Sequence, residues 1–344
     1  MDQNIRSLAV RILLGNFWRA VSISLARINL CGIFVAILFI LNMPDVARGQ
    51  ECIGGIPVNQ TDSLALVALY NATGGPNWSY PVTDRTWLEG PVTSWWGVIL
   101  FNCRVWSLSL NSMNLVGTLP NDLGNLTAVK SISINGQSGE NGDLHGPIPS
   151  ILGTLNNLET LSLVNNNLSG EIPEELGELA NLIVLSLSGN RLEGPIPLEL
   201  GNATNLKGLN LSQNQLTGAI PTELGNLMNA TSIQLDNNKL TGTVPQSFAS
   251  LNNLQTLRLQ DNQLEDLPDL TSLSALTTLW LQNNRFTFED LEPNVPLVYP
   301  GTGVVFAARQ RGDRCQIDGK RRPPFRYRGR SKQRVSVVQG RRGH

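Results

Sequence analysis

Across residues 150–260 the apolar positions recur with a period of 24. One unit carries Leu161, Leu163 and Leu168, with Asn166 between them and Gly170, Ile172 and Pro173 at its close. The next brings Leu185, Leu187, Asn190, Leu192, Gly194, Ile196 and Pro197, then Leu209, Leu211, Asn214, Leu216, Gly218, Ile220 and Pro221. A fourth brings Ile233, Leu235, Asn238, Leu240, Gly242, Val244 and Pro245. In each unit one residue separates the two leading apolar positions. Side chains alternate along a strand, so this spacing predicts a short strand with both apolar groups on one side. A fixed period in this range means stacked coils, whose strands line up as a parallel sheet. The Asn after each strand is expected to turn inward and bond backbone groups left unpaired by the bend, each costing ~1–3 kcal/mol if orphaned. Gly170 and Pro173 and their equivalents are expected to set the return path.

The pattern extends both ways. Strand cores fall at Leu108, Ile132, Leu161, Leu185, Leu209, Ile233, Leu257 and Leu279, in steps of 24, 29, 24, 24, 24, 24 and 22. They give an eight-repeat array over residues 105–294. The first repeat has Met113 at the Asn position, the second carries five extra residues between Ile134 and Leu144, and the seventh (LRLQDNQLEDLP) drops its glycine and closes early. The letters LxxLxLxxNxLxGxIP identify the units as leucine-rich repeats of the plant type. The fold class expected is α/β: a leucine-rich repeat solenoid (horseshoe) with a concave parallel β-sheet, an irregular or 3-10 convex side, and an N-terminal cap.

The cap is expected over residues 50–104. Thr61 or Asp62 can N-cap a helix through Leu64, Val67, Ala68 and Leu69, and Gly74-Gly75-Pro76 ends it. Trp78, Trp87, Trp95 and Trp96 then supply large aromatic surface to cover the open end of the core. The string DSLALVALYNATGGPNW (62–78), with WWGVILFNCRVWSLSL (95–110), resembles the N-terminal cap of secreted and cell-surface leucine-rich repeat proteins of bacteria and some protists. Its WxGVxxxxC spacing is similar to the cap of plant receptor-like ectodomains. FTFEDLEPN (286–294) resembles the end of the array in the same surface proteins.

Charge changes the picture at the termini. The net charge of −1 hides a segregation: residues 50–300 hold 8 Lys/Arg against 23 Asp/Glu, and residues 301–344 hold 13 against 2. The segment 295–344 lacks any repeat and is expected to be a basic, disordered tail. Residues 1–49 read as an export signal. Arg6, Arg11, Arg19 and Arg27 precede the 12-residue apolar run Leu30–Leu41, and Ala47-Arg48-Gly49 offers a cleavage point before Gln50. An uncleaved signal anchor is the rival reading; a spanning helix needs ~20 apolar residues. In an exported chain Cys52 and Cys103, which flank the cap, are expected to form a disulfide. Eight Asn-x-Ser/Thr acceptors occur, at Asn59, Asn71, Asn77, Asn125, Asn167, Asn202, Asn210 and Asn229. In a eukaryotic source these are candidates for glycosylation.

Candidate chemistry points to binding. The residue between the two strand leucines faces the concave surface, and down the array it reads Ser109, Ser133, Ser162, Ser186, Asn210, Gln234, Arg258 and Trp280. Four serines give way to large side chains. Trp and Arg are enriched at binding hot spots, so the ligand-binding candidates are Gln234, Asp236, Arg258, Gln260 and Trp280. A ligand carrying an acidic group beside an apolar or sugar face would suit the Trp–Arg pair. The purely structural alternative has Trp280 packing on the last coil with Arg258 laid over it. No catalytic residues, cofactor or metal site are expected: His145 is the sole histidine of the array, and no nucleotide-binding or kinase signature occurs. The function read from sequence is an exported non-catalytic scaffold binding an extracellular protein, peptide or glycan. Alternatives are an inhibitor of secreted polysaccharide-degrading enzymes, or a glycan-cleaving enzyme using Asp236 and Asp261. No nucleic-acid partner is expected, and a membrane is met only through an uncleaved N-terminal anchor.

Overall fold

A computed structural model describes residues 58–80, 87–88, 90–136 and 143–298. The expected export signal, Cys52, a further cysteine at Cys315, the centre of the insertion and the tail beyond residue 298 lie outside the described residues; the tail expected to be disordered from 295 begins instead inside a 3-10 helix, Glu292–Val298.

Among the described residues nine strands build the principal sheet. They are β1 (Val98–Phe101), β2 (Arg104–Ser109), β3 (Ser131–Ser133), β4 (Thr160–Ser162), β5 (Val184–Ser186), β6 (Gly208–Asn210), β7 (Ser232–Gln234), β8 (Thr256–Arg258) and β9 (Thr278–Trp280), neighbours in that order. From β2 to β9 every pairing is parallel and in register, so Leu108, Ile132, Leu161, Leu185, Leu209, Ile233, Leu257 and Leu279 stand side by side. All eight are almost wholly buried. β1 is a departure from the sequence pattern. It is antiparallel to β2 through a tight turn at Asn102 and Cys103, both with positive φ (49° and 60°), which matches the twist of a two-residue hairpin.

Each coil closes a layer of core. In the coil of β4, Leu158, Leu161, Leu163, Leu168, Ile172, Leu176 and Leu179 all point inward and are at most 3% exposed. Burying one such side chain is worth ~1.5–3 kcal/mol relative to exposure. The expected Asn ladder is present. Asn190 Nδ2 donates to Leu163 O (2.8 Å) in the preceding coil and Leu187 O (3.0 Å) in its own, while its Oδ1 accepts from Leu168 N–H (3.1 Å). Asn214, Asn238 and Asn262 repeat this set. Met113 fills the equivalent place in the first coil and is buried.

The return side is built of 3-10 turns, such as Glu174–Glu178, Leu198–Asn202 and Thr222–Asn226, each preceded by a proline. Neighbouring turns stack very closely. A Cβ on Gly177 would lie 2.2 Å from Glu199 O, and one on Gly201 would lie 2.3 Å from Glu223 O. The equivalent residue in the sixth repeat is Ala249, and the shortened seventh repeat brings no comparable 3-10 turn against it among the described residues. Between the two sides runs a second, lateral ladder. Val116–Thr118, Asp143–Gly146, Asn167–Gly170 and Arg191–Leu192 make a four-stranded sheet, and Thr241–Thr243 pairs with Gln263–Asp266. A further row of Asn amides ties the coils outside the core: Asn157, Asn181, Asn205, Asn229 and Asn253 donate to carbonyls one coil back at 2.7–2.9 Å.

At the N-terminal end, helix α1 (Gln60–Ala72) lies across the first coil, and one part of the sequence reading needs correction. The N-cap is Asn59, whose Oδ1 accepts from Asp62 N–H (3.1 Å). Asp62 does not cap the helix. It is fully buried, takes two hydrogen bonds from Arg104 (2.9 and 3.0 Å) and accepts from Val105 N–H (2.7 Å). A buried carboxylate needs charged and polar partners, and Arg104 on β2 supplies them where Thr61 and the first turn cannot. Trp78, Trp87 and Trp95 form a chain of ring contacts at 4.9 and 5.1 Å, are at most 5% exposed, and donate their indole N–H groups to backbone carbonyls. Their faces are therefore buried in the core of the cap, as expected for residues covering the open end of the array.

Candidate functional site

The strand register places the column read from sequence in one continuous row. Ser109, Ser133, Ser162, Ser186, Asn210, Gln234, Arg258 and Trp280 are successive Cα partners across β2 to β9. Two residues further along each coil runs a second row: Asn111, Asn135, Val164, Ser188, Ser212, Asp236, Gln260 and Gln282.

The first part of this face satisfies itself. Asn111 Oδ1 accepts from Ser133 Oγ (2.9 Å) and Asn135 N–H (3.0 Å). Asn135 Oδ1 accepts from Ser162 Oγ (2.8 Å) and Val164 N–H (2.7 Å). These short side chains bridge one coil to the next and leave a low, polar surface.

The last part differs in size and in saturation. The Arg258 guanidinium lies over the Trp280 ring, 4.3 Å from its centroid, a cation–π contact across adjacent strands. Gln234, Arg258 and Trp280 are half-buried. Gln234 Nε2 donates to Ser232 Oγ (3.2 Å) on its own strand. Asp236 and Gln260 are both 5% exposed. Asp236 Oδ2 accepts from Asn237 Nδ2 (2.8 Å), but Asp236 Oδ1, Gln260 Oε1 and Arg258 Nε are buried with no hydrogen-bond partner. Burial holds the Asp236 carboxyl above its ordinary range. The hydrogen bonds from Asn237 and from Asp236's own backbone N–H, and then the Arg258 charge, oppose the rise, while the Asp261 charge adds to it. Asp261 in turn accepts from Asn283 Nδ2 (2.5 Å).

Gln234, Arg258 and Trp280 thus fall on neighbouring strands, with Asp236 and Gln260 two residues past the ends of β7 and β8. Sequence parity located them, but gave no sign that Asp236 and Gln260 are buried or that Arg258 is stacked. A separate open groove of about 480 Å³ lies on the lateral ladder, lined by Val116, His145, Gly146, Asn167, Ser169 and Arg191, away from these five. Of the glycosylation candidates, Asn71, Asn77, Asn125, Asn202 and Asn229 are exposed, whereas Asn59, Asn167 and Asn210 are half-buried. Asn59 serves as the helix cap, and Asn210 Oδ1 accepts from Ser212 N–H (3.1 Å) and Oγ (2.8 Å). The amide of Asn229 is engaged in the outer Asn row. Cys103 is half-buried in the β1–β2 turn, and its carbonyl accepts from Asn59 N–H (3.0 Å).

Residues 157–179, 181–203 and 205–227 match a family model for the leucine rich repeat, and residues 228–286 match a second leucine rich repeat model. Among solved structures, the chain is similar to the LRR ectodomain of the plant membrane receptor kinase GASSHO1/SCHENGEN3 from Arabidopsis thaliana in complex with CASPARIAN STRIP INTEGRITY FACTOR 2. That match has 31% identity over 66% of this chain and 30% of the other, with a TM-score of 0.52. It is also similar to the plant peptide hormone receptor RGFR1 in complex with RGF2, at 37% identity over 52% of this chain and 28% of the other, with a TM-score of 0.49. The chain spans less than a third of the length of either receptor.

Proposed function

From a chain whose array is built of plant-type leucine-rich repeats, we propose an exported, non-catalytic scaffold that binds an extracellular protein or peptide across the last repeats of its concave face. The observation that carries this reading is the patch formed by Gln234, Asp236, Arg258, Gln260 and Trp280. There a Trp–Arg stack stands beside buried polar atoms that the protein itself leaves unsatisfied. A stacked Trp–Arg pair supplies apolar area together with directed donors, the combination enriched at hot spots. The similar Arabidopsis ectodomain, held in complex with a named factor, supports a binding role. Among the described residues no helix is long and apolar enough to cross a membrane.

Affinity capture with the purified chain supplies a ligand for the test. Trp280→Ala should then weaken binding by ~2 kcal/mol or more, while Ser162→Ala should cost under ~0.5 kcal/mol. Thermal melts of both variants accompany the titrations. Normal binding by Trp280→Ala, with only a lowered melting temperature, would mean that the ring seals the last coil and the site lies elsewhere. The export element of the reading is checked by non-reducing peptide mapping of secreted protein, which should show Cys52 joined to Cys103. A Cys103–Cys315 bridge would instead mean that the basic tail folds back along the array, and free thiols at both Cys52 and Cys103 would count against export.

A further inference from the structure

The principal sheet has an open edge at its first strand. β1 pairs with β2 on its inner side, and among the described residues no strand lies beyond it. In a two-residue hairpin the closing pair, here Phe101 and Arg104, exchanges both backbone bonds, so the next residue, Leu100, turns its N–H and C=O outward. The register shift of this hairpin falls on the inner strand. Trp106 is the extra residue, between the partners of Ile99 and Leu100, so β1 itself carries no bulged residue. Open edges are commonly guarded by a charge, a proline or a bulge on the edge strand. Val98–Phe101 has neither charge nor proline.

The edge is also apolar. Ile99 (59% exposed) and Phe101 (56%) are the two most exposed large hydrophobic residues among those described. They stand two apart on one strand and therefore share a face. Phe101 is held in position: its ring lies 5.0 Å from that of Trp106, Lys130 Nζ sits 4.7 Å over the Trp106 ring, and Lys130 pairs with Glu159.

Charge and sequence together select the occupant. Residues 122–298 hold 6 Lys/Arg against 19 Asp/Glu, so two copies of the array repel each other wherever coil meets coil. Residues 58–121 hold 2 against 3, and of these Asp62 and Arg104 are paired with each other. The cap end is thus where two copies can approach, and contact through β1 leaves the acidic coils on opposite sides of the junction. The strand is its own complement as well. Antiparallel pairing about Leu100 sets Leu100 against its copy and Ile99 against Phe101 of the other chain, twice over. An aromatic opposite a β-branched residue is a favourable cross-strand pair.

We propose that two copies of this chain join antiparallel through β1 about Leu100, forming one sheet continuous across both, with Ile99 of each copy packed on Phe101 of the other. A four-residue edge is short beside a standard interface of ~1,600 Å², so the association is weak and depends on concentration. It does not depend on the concave patch at the far end of the array.

Sedimentation velocity of the purified chain over rising concentration tests this. Wild type should pass from monomer to dimer. Ile99→Lys and Phe101→Glu should each weaken self-association by about tenfold or more, since each sets a charge against an apolar partner. Mixing the two variants should restore a dimer, because the mixed pairing sets the new lysine against the new glutamate and keeps one native Ile99–Phe101 pair. Both positions are exposed, and thermal melts confirm that the variants fold. Weakening by both substitutions without rescue in the mixture would overturn the antiparallel pairing. A dimer indifferent to both, or one abolished by salt alone, would overturn the interface and point to the basic tail against the acidic coils. A wild type that stays monomeric would overturn the proposal. Slow deuterium exchange at the Leu100 amide in that monomer would show that residues 50–57, which enter α1 beside the hairpin turn through Asn59 N–H to Cys103 O (3.0 Å), cover the edge instead.

Discussion

The two ends of the concave face are made from the same backbone and opposite side-chain economies. Around β2 to β4, Ser and Asn residues bridge neighbouring coils and consume one another's donors and acceptors. Around β7 to β9, the same strand positions hold Gln234, Arg258 and Trp280, with Asp236 and Gln260 buried and only partly bonded. From β3 onward the strands beneath are alike: three residues each, parallel, with a buried aliphatic at the centre. Core packing and surface chemistry are therefore separable in this array. The inward residues set the first and are shared by every coil, while the outward residues vary without disturbing them.

The largest expected effect checks that shared floor. Leu211→Ala and Leu161→Ala should each destabilise by ~2–5 kcal/mol, because each empties a packed core position. Denaturant titration decides it, and a cost confined to one end would break the claim that the two ends share one scaffold.

Next comes the unsaturated end. Asp236→Asn should raise stability at neutral pH by about 1 kcal/mol, since it removes a buried charge with an unmatched oxygen. The pH dependence has a definite sign. A carboxyl whose folded pKa is raised binds its proton more tightly when folded, so its ionisation opposes folding. That penalty is absent below the unfolded carboxyl value of ~3.9 and grows as pH rises through the folded value. The advantage of Asp236→Asn over wild type should therefore be small near pH ~3 and reach its plateau at higher pH. Equal advantage at both ends of that range would show that the Asp236 charge is not the cause.

The saturated end should respond in the opposite direction. Asn135→Ala removes the acceptor for Ser162 Oγ and Val164 N–H, and should cost roughly 0.5–1.5 kcal/mol. The smallest effect belongs to Ser186→Ala, a concave position with an exposed-side hydroxyl, expected within ~0.5 kcal/mol of wild type. If Asn135→Ala proves neutral while Asp236→Asn is destabilising, the contrast between the two ends is reversed.

Most of the scaffold could be read from the chain because its letters repeat. The Leu and Asn positions identify coil, strand phase and inner ladder together, and parity along a strand then identifies the concave column. The β1 hairpin was hidden because Val98–Phe101 is an unbroken apolar run, which gives no alternation to separate a strand from cap packing. The lateral ladder escaped because its strands are two to four residues long and set each core leucine (Leu144, Leu168, Leu192, Leu264) against a glycine of the coil before (Gly117, Gly146, Gly170, Gly242), which leaves no alternation to read. The outer row at Asn157, Asn181, Asn205, Asn229 and Asn253 was visible as a 24-residue spacing, but an Asn beside a core leucine does not declare which carbonyl it will meet. The helix cap was misplaced because Asn59, Thr61 and Asp62 all cap well in isolation, and only the contact with Arg104 singles out Asp62 for another task. Saturation of the candidate site was likewise beyond the sequence: whether Asp236 Oδ1 finds a donor depends on where neighbouring coils put theirs.

The inner Asn ladder also makes the array self-reporting. The amide hydrogens of Leu168, Leu192, Leu216, Leu240 and Leu264 are each held by an Asn side chain of the following coil, at 3.0–3.1 Å. None is bound within its own turn by that contact, so each can exchange with solvent deuterium only when the next coil lifts away. Five protons spaced along one edge of the molecule thus time the opening of five successive junctions, and the order in which they vanish from a spectrum would tell from which end the stack frays.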